Sequence, residues 1–438
     1  MVERAPLVER SALGDSFLEG NVTETKHKCA IVALLVMAMT GMMFGAEGAV
    51  PKGVPHLDHV FVIMMENHGY SQILNNPNTP FANQYARSAN LATNYFAVAH
   101  PSLTNYLEVV GASNFGVHSD NNPDWHNANC TTNLASGTAN TDNPASPNVC
   151  PIWGTGTDAA TPAFDSTNEV QGVPGDINID GVQSIPAAHN TSGKTIGDQL
   201  VEAGLSWKSY EESLPPGGAD GVNFADGYFT DSSNIPGVLP GETQSLIKLY
   251  AAKHNPFVYF RSVQEGENPR NSLKNVVGFQ GPRGLFDDLA SGHVPSVSFI
   301  APNQCNDQHG RGNGGPQCDF DPNDSGTQTG LNPALIYIGD VTLRTLVNAI
   351  HVSSVWHRGH NAIVVVWDEN DYSLAPTTNQ VVAIVDTNYG EHGVRSGKRY
   401  THFSLTKSME AAFGLPCLNH ACDANVGVMS DLFSGRGD

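Results

Sequence analysis

The chain has 438 residues, with 43 acidic side chains against 22 basic ones and a formal net charge of -21 at pH 7. That balance excludes a surface built to hold nucleic acid or anionic lipid by bulk electrostatics, so any phosphate the protein handles has to be held locally. A hydrophobic content of 40% supplies a proper buried core for one large domain or two medium ones, while 44 glycines, 27 prolines and only 15% charged residues predict many fixed turns and long ordered loops.

In chain order, Lys26-His27-Lys28 precede the apolar run CAIVALLVMAMTGMMFGA (Cys29 to Ala46), and small residues follow. Basic flank, apolar centre and small-residue exit form the layout of a secretory signal, cut after Ala46 or Ala49. The run is slightly shorter than the roughly 20 residues of a spanning helix, and a retained signal anchor is the alternative. Residues 1–49 are therefore expected to be an N-terminal extension and signal, residues 50–438 a single domain, and the protein secreted or periplasmic. Outside the signal six cysteines remain, in three sequence-local couples: Cys130 with Cys150, Cys305 with Cys318 and Cys417 with Cys422. An even count in an oxidising compartment favours disulfides, and short loop closure favours the local pairing. No CxxC pair supports a cysteine metal site.

Four apolar runs stop abruptly at polar clusters: HVFVIMM before ENHGY, FVYF before RSVQEGEN, VSFI before APNQCNDQH and AIVVVW before DEND. Runs of this length fit strands buried on both faces. Between them lie helix-like segments: Thr195 to Leu205, Glu242 to His254 and Pro333 to Ser353. The alternation predicts an α/β fold, in which ligands bind beyond the carboxyl ends of the strands. Asn114 to Pro186, rich in Asn, Asp, Thr, Gly and Pro, reads as a long excursion over the surface held by Cys130 and Cys150.

The polar clusters carry the chemistry. Glu66-Asn67 places hard oxygen donors side by side after a strand, suited to a divalent cation, although Asn-His-Gly also suits a simple turn. Asp368-Glu369 repeats the arrangement, and burying two adjacent carboxylates without a counter-ion is expensive. Ser102 follows Pro101 and reads as the N-cap of a helix over about Leu103 to Val110, where free backbone N–H groups make an anion site. Asn105, one turn on, is positioned to reach a phosphoryl oxygen. His100 either orients the serine or begins the turn. Asp307 and His309 follow a strand, His402 starts a helix, and His118, His254 and His392 are weaker candidates.

The ordered motifs IMMENHGY, HPSLTNYL, APNQCNDQH, VVWDEN and YTHFSLTKSMEAAFGLP, spanning about Asp58 to Leu415, resemble the bacterial and fungal phosphoesterase family that contains phospholipases C and acid phosphatases. That family is similar to the alkaline phosphatase superfamily. The resemblance implies a largely parallel central sheet sandwiched by helices, in a single domain with long ordered loops. It implies Ser102 as nucleophile and Asn105 on the phosphoryl oxygens. It further implies one divalent metal ion, of undistinguished identity among Ca²⁺, Mg²⁺ and Zn²⁺, held by Glu66, Asn67, Ser102, Asp368 and Glu369. Asp307, His309 and His402 fall around the phosphoryl group or leaving oxygen, with His309 or His402 as the acid, and His100 joins the substrate-binding residues. The Asp-x-His of NDQH, in place of Asp-x-x-x-His, argues against a second metal.

The expected substrate is a small phosphate ester. The absence of a membrane-docking stretch argues against a stable membrane partner beyond the signal segment. A phosphomonoesterase of acid phosphatase type is the first reading and a phospholipase C the second. A secreted binding protein that keeps the fold without turnover would be expected to have lost Ser102, Glu66 or Asp368, all of which are present.

Overall fold

The computed structural model describes residues 47–117, 119–124, 148–158, 189–214, 228–229, 246–247, 249–311, 315–370 and 379–434. Residues 1–46 of the expected N-terminal extension and signal, His118 and Cys130 lie outside these residues.

An eight-stranded sheet runs through the described residues. Its strands in chain order are β1 (His59–Met65), β2 (Asn90–Ala92), β3 (Trp207–Glu211), β4 (Val276–Gly278), β5 (Val297–Ala301), β6 (Asn361–Trp367), β7 (Ala383–Thr387) and β8 (Arg395–Ser396). Their spatial order is β8-β2-β7-β6-β1-β5-β3-β4. Every neighbouring pair is parallel except the two made by β7, which is antiparallel to both β6 and β2. The expected α/β class with a largely parallel sheet is therefore the one found. Side chains alternate between the two faces of a strand, so complete burial of β6, and of β1 beyond His59, means that both faces are covered.

The covering helices are α1 (Pro80–Ser88), α2 (Ser102–Gly111), α3 (Ile196–Glu202), α4 (Leu285–Ser291), α5 (Pro333–Val352) and α6 (His402–Phe413). Helix α2 is buried all round its circumference, the pattern of a core helix rather than a surface one. Tyr106 meets Phe299 of β5 edge to face, with 5.9 Å between ring centroids. Burial of Leu103, Tyr106, Leu107 and Val110 stabilises this placement by about 1.5–3 kcal/mol per side chain.

Three local expectations change. FVYF is a buried 3-10 turn, Pro256–Tyr259, and not a strand; Pro256 has no N–H to give a ladder, and a short apolar run has no period that separates strand from buried turn. The Glu242–His254 segment is not one helix: Leu246–Ile247 pairs with Tyr228–Phe229, and Ala252–His254 is a 3-10 turn. The start of the supposed surface excursion, Phe115 and Val117, lies in the core, as do Val149 and Ile152. Cys305–Cys318 and Cys417–Cys422 are disulfides, and Cys150 is disulfide-bonded.

The Cys417–Cys422 loop clamps the C-terminal end of α2. Asn419 Nδ2 donates to Gly111 O at 2.7 Å, and the His420 N–H donates to Ala112 O at 3.0 Å. The His420 ring lies between Asp158, 3.1 Å away, and Asp423, 2.8 Å away. Burial pulls the imidazolium pKa down, but the hydrogen bonds and charges of Asp158 and Asp423 outweigh it and raise the pKa to about 10. A raised pKa adds stability below the ordinary value of 6.5 that is lost as pH rises through the folded value. His420→Gln is therefore expected to cost about 3 kcal/mol at pH 6. In urea titrations the gap from wild type should narrow as pH rises toward 10, and a pH-independent gap would contradict this account.

Candidate active site

Strand register builds the site. In the pairing of β1 with β6, Met65 lies opposite Trp367, so the next residues, Glu66 and Asp368, emerge side by side. The Asp368 N–H donates to Met65 O at 2.9 Å, and the Glu66 N–H donates to Asp307 O at 2.9 Å, which brings in the segment after β5. Asn67 turns the chain with φ 60°, a left-handed conformation that asparagine tolerates, and its N–H donates to Asp368 Oδ1 at 3.0 Å.

Glu66, Asp307, Asp368 and Glu369 are all buried, the last at 5% exposure. Two carboxylates about 4 Å apart repel by about 4 kcal/mol even at an effective dielectric of 20. Burial, then the charges of Asp368 and Asp307, push the Glu66 pKa well up; burial raises Asp307 likewise; burial and Glu369 lift Asp368 to about 8. Glu66 Oε1, Asp307 Oδ2 and Asp368 Oδ2 are buried with no hydrogen-bond partner. Orphaned oxygens in this number are the donor set that a divalent cation satisfies.

Ser102 sits among them. Its hydroxyl lies 3.2 Å from Glu66 Oε2 and 3.1 Å from Glu369 Oε1, within donating distance of either. The expected N-cap role is corrected: Pro101 is the N-cap, Ser102 is the first helical residue, and its hydroxyl makes no cap bond, because the carboxylates hold it. His100 Nδ1 lies 2.8 Å from Glu369 Oε2, the carboxylate whose other oxygen faces Ser102. Asn105 Nδ2 donates to Ala99 O and Glu369 Oε2, while its Oδ1 accepts from the N–H groups of Val98 and Ala99. Both ends of the amide are thus engaged with protein, one of them with the same glutamate that faces Ser102. Thr104 Oγ1 donates to Val117 O.

The histidines divide differently from expectation. His402 is fully buried; its Nε2–H donates to Asp368 O at 2.6 Å and its Nδ1 accepts from the Tyr95 hydroxyl at 3.0 Å. Burial lowers its pKa to about 4, which holds the ring neutral between the Asp368 carbonyl and the Tyr95 hydroxyl. His254, the weaker candidate, stands at the centre instead, its Nε2 3.2 Å from Glu66 Oε1 and its Nδ1 3.3 Å from Asp307 Oδ2, off hydrogen-bond alignment. Burial, then Lys253 and His309, hold its pKa well below the usual range, leaving it neutral and suited to a metal. It stacks on Tyr106 of α2, 5.2 Å between centroids.

His309 is half-buried; its Nδ1–H donates to Gly310 O at 2.7 Å, which leaves the Nε2 lone pair facing Lys253 Nζ at 3.1 Å. Ligand atoms of Glu66, His254 and His309 lie within 4.8 Å of one another. Asp307 lies with this acidic group, its backbone carbonyl accepting the Glu66 N–H and its carboxyl raised in pKa chiefly by burial. Sequence reasoning passed over Lys253, whose only signal is a basic residue next to His254.

The Phosphoesterase family model matches residues 72–317. The chain is 22% identical over 418 residues to a phosphatidylinositol-3-phosphatase of Mycobacterium tuberculosis, covering 94% of this chain and 96% of that one. It is 24% identical over 371 residues to an acid phosphatase of Aspergillus fumigatus, covering 84% of this chain and 57% of the fungal protein. It thus spans nearly all of the mycobacterial relative and little over half of the fungal one. Among solved structures, a protein in the alkaline phosphatase superfamily from Vibrio parahaemolyticus aligns with a TM-score of 0.42 and 10% identity over 87% of this chain and 71% of that one. With its matched segment carrying α2 and the His254–His309 side of the site, this chain belongs to the Phosphoesterase family, enzymes that hydrolyse phosphate esters.

Proposed function

We propose that the protein is an exported, metal-dependent phosphatase that hydrolyses phosphomonoesters through Ser102. The observation that carries this reading is the placement of Ser102 in the first turn of a buried helix, its hydroxyl between Glu66 and Glu369. A relative named as a phosphatidylinositol-3-phosphatase makes a phosphoinositide monoester the first lipid substrate to try beside soluble monoesters.

Glu66, Asp368 and Glu369, with Asn67, would hold the divalent ion beside Ser102. The ion would lower the pKa of the seryl hydroxyl and offset negative charge on the phosphoryl oxygens. The residues supply the rest. The Ser102 Oγ proton passes to Glu369 Oε1 or Glu66 Oε2 as Oγ attacks phosphorus in line, forming the Oγ–P bond and breaking the bond to the leaving oxygen. Glu369 is held for this by His100 and Asn105. The leaving oxygen takes its proton from His309, whose Nε2 faces Lys253 Nζ at 3.1 Å; water then cleaves the phosphoseryl bond, giving one proton back to His309 while the carboxylate returns its proton to Oγ and orthophosphate leaves.

Ser102→Ala is expected to lower kcat on p-nitrophenyl phosphate by at least about 1,000-fold with an unchanged circular dichroism spectrum; near-normal turnover would overturn the assignment. Chelation should abolish activity, and adding back Ca²⁺, Mg²⁺ or Zn²⁺ singly should identify the ion, whereas undiminished activity after exhaustive stripping removes the metal from the reading. Because His402 acts as a strut, His402→Phe should cost about 2–3 kcal/mol in denaturant titrations, the Asp368 carbonyl and Tyr95 hydroxyl losing their partner. Lost turnover at wild-type stability would instead return His402 to the chemistry.

A further inference from the structure

The four buried carboxylates leave an electrostatic problem for a phosphatase. Together with one divalent ion they still carry excess negative charge, and the substrate brings more. Lys253 borders this group. It is only 8% exposed, and its charge lowers the pKa values of Glu66, Asp307 and His254. Its Nζ donates to Asp120 Oδ2 at 2.9 Å and lies 3.1 Å from His309 Nε2. Asp120 Oδ1 in turn accepts the N–H of Leu103 at 3.0 Å, the residue after Ser102. The ammonium is therefore tethered between His309 and the first turn of α2, which carries Ser102.

We propose that Lys253 is the residue that selects a phosphomonoester over a phosphodiester, and that Asp120 is the positioning residue that holds its ammonium at the start of α2. The inference rests on Ser102 as the nucleophile. A terminal phosphate monoester carries close to two negative charges near neutral pH, whereas a diester carries one and offers one fewer anionic oxygen. A poorly hydrated ammonium beside the reacting group favours the former, and the carboxylates that surround it raise the value of that single cation.

The test uses the full chain with its metal and compares wild type with Lys253→Met, Lys253→Arg and Asp120→Asn on p-nitrophenyl phosphate and bis(p-nitrophenyl) phosphate, with inorganic phosphate as competitive inhibitor. Lys253→Met is expected to lower kcat/KM for the monoester by about 30-fold or more, mainly through KM, and to raise the inhibition constant of phosphate by at least about 10-fold, while changing the diester by less than about 3-fold. Lys253→Arg should recover most of the loss, and Asp120→Asn should shift the ratio in the same direction. Equal losses on both esters, or an unchanged monoester rate and phosphate constant, would overturn the proposal. Should Lys253→Met fail to fold, the ester ratio in Asp120→Asn decides. Titration of phosphate into Ser102→Ala protein, with and without Lys253→Met or Asp120→Asn, separates the two readings. A full rate in Ser102→Ala sinks the nucleophile, whereas phosphate affinity insensitive to both Lys253→Met and Asp120→Asn sinks Lys253.

Discussion

Mutual repulsion among Glu66, Asp307, Asp368 and Glu369 is the constraint around which the rest of the molecule is arranged. Parallel strands end at one edge of a sheet, and their register leaves carboxylates adjacent in a place that water scarcely reaches. Such a group cannot be fully ionised by itself, which is why burial and neighbouring charge lift its members' pKa values. The surroundings answer that charge step by step. Ser102, His100 and Asn105 converge on Glu369, the Asn67 N–H serves Asp368, and Lys253 lies alongside.

Helix α2 is the element through which the fold serves the site. Its apolar body is locked by Tyr106 against Phe299 and His254, and its far end is held by Asn419 and His420 within a disulfide loop. The hydroxyl at its first turn is thereby fixed relative to strands that are distant in sequence. A hydroxyl mounted on a rigid element loses little geometry to side-chain motion, the condition that the proposed in-line attack on phosphorus would place on Ser102. His402 serves the same end from below, tying the Asp368 carbonyl to Tyr95.

Much of the site was legible from residue order. Glu66 and Asp368 each directly follow an apolar run, and such runs in an α/β chain end at the ligand edge. Ser102 stands at a helix start, and the helix was found within a residue of its expected bounds. Less legible were FVYF, which has the composition of a strand and the conformation of a turn, and His254, which lies in a segment read as the tail of a helix. Nothing local distinguishes His254 from the other histidines. Its role comes from Glu66, Asp307 and Tyr106, each tens or hundreds of residues away.

The sequence by itself determined the alternation of apolar strands and amphipathic segments, the polar clusters at strand ends and the local cysteine couples, because these depend on neighbours along the chain. Tertiary structure alone decided which polar groups meet. It set Asn105 against Glu369 and His402 against the Asp368 carbonyl, placed Asp307 among the carboxylates and brought Lys253 and His254 to the same strand edge. The physical reason is that hydrogen-bond capacity and charge are spent on whatever lies within about 3 Å, and that neighbourhood is set by strand register and helix packing, which no short stretch of sequence contains.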